Sequence, residues 1–230
     1  MRQARRKRPL REPLPAALLG LTLASGMLDA ASFLGLGKIF VAMMTGNFIV
    51  LGLALGGAAG FSDLLPLTAI AGFATGILLG GHAERLAVRR ARQHWFFHAM
   101  AVEVCLLLAA WALNTCTPSG YGPTRYMTTA LLSLAMGTRC ATVRRLGIPD
   151  LPITVGLTGA LIALVHDSRL LKGDNEHAAR RLGTVMAMVA GAALGGALVV
   201  RHGLPWALLA IALTVALITC AVRLHPRAPQ

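Results

Sequence analysis

Long apolar runs decide what this chain can become. Runs of about 18 or more apolar residues read as membrane spans, because a helix rises 1.5 Å per residue and the hydrocarbon layer is about 30 Å thick. Eight apolar segments can be drawn, at roughly 14–36, 39–57, 64–84, 95–113, 126–146, 152–166, 182–200 and 204–222. The clearest breaks fall at 85–94, 114–125 and 167–181. Charged residues make up 13% of the chain, against about 25% in a soluble domain. That is too few to cover a water-facing surface. The expected fold is all-α and polytopic. A single transmembrane domain covers 14–222, with a basic segment 1–13 before it and a short tail 223–230 after it.

The net charge of +13 would suit a nucleic-acid partner only on a soluble basic face. Here the basic residues cluster between apolar runs, where Lys and Arg mark cytoplasmic loops. The bilayer is the expected partner, and no nucleic acid is expected. Arg5-Arg6-Lys7-Arg8 before an apolar stretch resembles a signal peptide, even a twin-arginine one. The stretch continues past Ser25-Gly26 toward Phe33, longer than a signal core, so it reads as a first span with a basic anchor. Cys105, Cys116, Cys140 and Cys220 form no paired motif and read as small buried hydrophobes.

The segments repeat as four plus four. Gly26 in the first matches Gly137 in the fifth. Thr45-Gly46 in the second matches Thr158-Gly159 in the sixth. Gly76, Gly80 and Gly81 in the third match Gly191, Gly195 and Gly196 in the seventh. Order and a nearly constant separation carry the match, and the halves run over about 14–113 and 126–222. Topology turns on the second and sixth segments. If all eight cross, Arg85, Arg89, Arg90 and Arg92 fall outside. If the second and sixth dip in and return, only Lys38, Arg125 and Arg201 do, which obeys the positive-inside rule better. The expectation is therefore about six spans, two re-entrant or broken segments, both termini in the cytoplasm, and an inverted repeat of the kind that recurs in transporters, with seven or eight spans as the alternative because the second segment is long enough to cross.

Gly26-Met27-Leu28-Asp29-Ala30-Ala31-Ser32-Phe33 and Phe40-Val41-Ala42-Met43-Met44-Thr45-Gly46-Asn47 resemble the YoaK-like family of bacterial integral membrane proteins. Ala135-Met136-Gly137 and Leu157-Thr158-Gly159-Ala160-Leu161 extend the resemblance over the second half. It implies a multi-pass protein of the bacterial inner membrane with about six spans, and no reaction. It also implies a Gln-Asn pair where this chain carries Arg139-Cys140.

Candidate functional residues follow from cost. Asp29 lies in the first apolar run, where an ionisable group is a functional candidate by default; the bland reading is a structural acceptor between helices. Arg139 occupies a nearly equivalent place in the other half, so an Asp29–Arg139 contact is one expectation. The other is that Arg139 snorkels toward Arg144 and Arg145. Thr45-Gly46-Asn47 and Thr158-Gly159 suit breaks in helix that line a solute or ion pathway, or else close packing. Gly72, Gly76 and Gly80, with Gly191 and Gly195 opposite, form stripes that pack helices closely within a protomer or between two copies. Glu103 either faces a cavity or lies at headgroup depth. His94 and His98 share a helix face but read as an interfacial belt, and His166-Asp167 as a helix end. No catalytic or metal-ligating set and no cofactor motif stands out, so no enzyme is expected. A small-solute transporter or channel of unidentified substrate is the leading expectation, and a non-transporting scaffold or partner-binding subunit the alternative.

Overall fold

The computed structural model describes residues 14–62, 64–86, 92–117, 122–146, 157–166 and 178–224. The basic segment 1–13 and most of the tail lie outside them. The described residues form α-helices and no strand: α1 Leu14–Ser32, continued by a π-helical turn Phe33–Gly37, then α2 Met44–Leu55, α3 Leu64–Leu86, α4 Arg92–Cys116, α5 Pro123–Leu146, α6 Leu157–His166, α7 Ala178–His202 and α8 Leu204–Leu224.

Length separates these helices into two kinds. Five are long and apolar enough to cross a membrane: α1 with its turn, α3, α4, α7 and α8. α5, with 24 residues, is about 36 Å long at 1.5 Å per residue. Its arginines and threonines dilute its hydropathy, and the fold compensates by enclosing it: Thr128, Thr129, Ser133 and Arg139 are all buried. α2 and α6 have 12 and 10 residues, so they reach only about 18 and 15 Å, roughly half a bilayer core. The exterior is apolar, with Phe48, Leu78, Val200 and Leu217 among many exposed side chains. Lipid is the solvent that tolerates such a surface.

Most of the helix packing is kept when the halves are exchanged, the α7–α8 contact being the exception. α1 packs on α7 as α5 packs on α3. α8 packs on α1 as α4 packs on α5. α2 lies on α3 as α6 lies on α7, and α4 meets α8 across the centre. The glycines show the same relation at single residues. A Cβ on Gly76 would strike the Leu134 carbonyl oxygen, and one on Gly191 would strike that of Leu23. A Cβ on Gly137 would strike the Phe73 carbonyl oxygen, and one on Gly26 that of Met188. Each pair of obstacles is again related by the repeat. These are backbone-to-backbone contacts, which only residues without side chains allow. The Gly72–Gly80 stripe is thus used inside the protomer. Each half thus holds three long helices and one short helix.

Candidate functional site

The first half breaks its helix beside Asp29. The π-helical turn ends where Gly37 (φ 107°) and Lys38 (φ 62°) enter the left-handed region and reverse the chain. The Lys38 N–H closes the turn on the Phe33 carbonyl at 2.9 Å. Residues 39–43 then run back along α1 without helical hydrogen bonds. At membrane depth each unpaired N–H costs several kcal/mol, and two side chains supply the missing partners. Asp29 Oδ1 accepts from the N–H groups of Val41 (3.0 Å) and Ala42 (2.8 Å). Asn47, fully buried in α2, accepts from the Phe40 N–H at 2.9 Å and donates back to the Phe40 carbonyl. Each such bond to the charged carboxylate contributes about 1.5–3 kcal/mol.

The segment returns to the side from which it entered. Beyond α2, the Phe61 ring lies 4.7 Å from Lys38 Nζ, and Gly60 sits beside the same ammonium. Residues on the two flanks of 39–57 are therefore at one face. The chain thus doubles back over 39–57, and the N-terminus of α2 follows directly on the segment that Asp29 holds.

A cavity of about 290 Å³ opens at that N-terminus, lined by Ala42, Met43, Met44, Thr45, Gly46, Ile49, Phe73, Leu157 and Thr158. Its size sits at the lower edge of the roughly 300–1,000 Å³ of ligand pockets. The first residues of α2 and of α6, one short helix from each half, share it. Thr45, Gly46 and Thr158 are thus brought together. Asp29 and Asn47 stand behind the wall, holding the backbone that forms it. Gly159 is exposed with nothing near its Cβ position and is not among the lining residues.

Arg139 is elsewhere, and its partner is not Asp29. Its guanidinium meets the Glu103 carboxylate with two nitrogens: Nε donates to Oε2 at 2.8 Å, and Nη2 to Oε1. Nη1 donates to Ser25 Oγ (2.8 Å) and the Leu21 carbonyl (3.1 Å). Arg139 and Glu103 are 1% and 0% exposed, so Arg139 does not snorkel to the surface. The pair ties α1, α4 and α5 together. Arg139 acts on Asp29 only through space. A second α4–α5 link, Asn114 Nδ2 to Thr128 Oγ1 at 2.8 Å, has the same antiparallel register. That register is the signal that could have found the pair, since Glu103 and Arg139 lie equally far on either side of residue 121. Phe73 at the cavity carried no such signal.

Other expectations shift. Cys105, Cys116 and Cys220 are exposed on helix exteriors rather than buried, and Cys140 is half-buried. Cys140 packs against the buried core instead. The His94 side chain and Asp167 lie outside the described residues. Among the described residues no group of three or more His, Cys, Asp or Glu could hold a metal ion.

An apolar exterior and five helices long and apolar enough to cross a bilayer define a polytopic α-helical integral membrane protein. Residues 17–221 match the family described as "Protein of unknown function (DUF1275)", and the chain belongs to that family. It is similar to the "UPF0700 transmembrane protein YoaK" of Bacillus subtilis (strain 168), with 32% identity over 151 residues. The match spans 64% of this chain and 64% of that relative's length. No solved structure matches.

Proposed function

We propose that the protein moves a small solute across the bacterial inner membrane through the cavity between α2 and α6. One observation carries this reading: two half-length helices, one from each inverted half, begin at the same cavity. Irregular backbone at membrane depth is kept where it is buried or lines a cavity, and broken helices at a repeat interface are where transporters bind substrate. The solute is small, given the cavity's volume, and meets the hydroxyls of Thr45 and Thr158 among otherwise apolar walls. Both termini face the cytoplasm, which puts the basic segment 1–13 on the side that the positive-inside rule favours. The reading assigns no catalysis to the chain.

Flux in proteoliposomes tests it. Monovalent cations, monovalent anions and small neutral polar solutes are offered in turn. One class is expected to cross, to be blocked by Thr158→Trp, and to slow about tenfold in Thr45→Val/Thr158→Val, at roughly 0.5–1.5 kcal/mol per lost hydrogen bond. If no class crosses, or flux ignores both variants, the reading fails.

A further inference from the structure

We propose that Asp29 is a proton-binding site and that the proton it takes up is the coupling ion for the solute pathway. The coupling half of this rests on the proposed pathway; the site itself does not.

Three observations carry the site. First, the two oxygens of the carboxylate are used unequally. Oδ1 accepts from Val41 and Ala42, whereas Oδ2 is buried and has no hydrogen-bond partner. Second, the charges around it do not balance among the described residues. From α5 come Arg139 and the thiol of Cys140, and from α4 comes Glu103. α7 meets α1 through Gly191 and Gly195, and α8 contributes buried Leu208, Ile211 and Val215. Neither α2 nor the π-helical turn presents a titratable group there. Two carboxylates therefore share one guanidinium, and Glu103 holds that guanidinium with two bonds. One negative charge is left over in a setting where an uncompensated charge costs several kcal/mol. Third, no metal-binding group of acidic, His or Cys residues lies among the described residues. The free Oδ2 of Asp29 offers a single lone-pair site, which is all that a proton needs.

The position of Asp29 links the proton to the cavity. Ala42, which it grips, lines the cavity directly. When Oδ2 takes a proton from a hydronium ion, one O–H bond of that ion breaks, an O–H bond forms on Oδ2, a neutral water is released and the carboxylate charge is removed. The two N–H bonds to Oδ1 then lose their charge-assisted strength, and residues 39–43 are held less firmly. Because the same segment screens Asp29 from the cavity, the proton enters and leaves only as that wall shifts.

Infrared spectroscopy of the purified full chain in detergent tests the site without any solute. The wild type is expected to show the carbonyl stretch of a protonated, buried carboxyl that titrates with pH. Asp29→Asn, which keeps an oxygen for Val41 and Ala42, is expected to lack it. Glu103→Gln frees Arg139 to compensate Asp29, and the band is expected to weaken. A band that survives Asp29→Asn, or no such band at any pH where the protein stays folded, overturns the site. In proteoliposomes an imposed pH gradient is expected to drive wild-type solute uptake severalfold, and to have no effect on Asp29→Asn. Uptake that ignores the gradient in the wild type overturns the coupling while leaving the pathway standing. If no solute crosses at all, the pathway fails, and the infrared result still decides the proton site.

Discussion

The Glu103–Arg139 pair offers a sharp test of how the core is held. Arg139→Leu leaves Glu103 buried and uncompensated. Glu103→Leu leaves Arg139 with only Ser25 and the Leu21 carbonyl. Removing one partner of a buried pair costs about 3–5 kcal/mol, whereas replacing both with apolar residues is often near neutral. The double variant strands little here, because the Ser25 hydroxyl also donates to the Leu21 carbonyl at 3.0 Å. Each single variant is therefore expected to lose about 3–5 kcal/mol and the double variant less than either. The resulting coupling exceeds the roughly 0.5–3 kcal/mol of ordinary contacting pairs. Equilibrium unfolding in mixed micelles, titrated with a denaturing detergent and followed by tryptophan fluorescence, measures all four corners of the cycle. Single costs that add to the double within about 0.5 kcal/mol would refute the pairing.

Two further outcomes follow from the packing and the clamp. Gly76→Leu and Gly191→Leu are expected to destabilise by similar amounts, about 1–3 kcal/mol or more, because each drives a side chain into a repeat-related carbonyl; Gly81→Leu, with nothing within 4 Å of its Cβ position, is the control, and thermal midpoints in detergent compare them. Asn47→Leu removes both partners of Phe40, at about 1–3 kcal/mol per stranded buried group. Hydrogen exchange at the Phe40 amide should accelerate in that variant while the α1 amides keep their protection.

Much of the architecture was legible because membrane packing restricts residue choice. Gly26, Gly76, Gly137 and Gly191 must be glycine where backbones touch, so the repeat left a trace in the sequence. Asp29 stood out because a carboxylate in an apolar run is costly, but its work could not be read. Its donors are the backbone N–H groups of Val41 and Ala42, and backbone groups have no residue signature. The Asp29–Arg139 expectation leaned on repeat equivalence. Glu103 won instead, since helices joined by a short loop pack antiparallel and bring residues equidistant from the loop to the same depth. The shared cavity was not legible either, because Phe73, Ile49 and Leu157 look like any lipid-facing side chains.

The central claim is that 39–57 dips into the membrane and returns, carrying the N-terminus of α2 to the cavity. Sidedness labelling tests it in a background stripped of Cys105, Cys116, Cys140 and Cys220. Single variants Lys38→Cys and Gly60→Cys are treated with a membrane-impermeant thiol reagent on right-side-out and inverted vesicles. Both positions are expected to react from the same face, because Lys38 Nζ lies beside Gly60 and Phe61. Reaction of the two from opposite faces would mean that the segment crosses, and the inverted repeat and the shared cavity would fall with it.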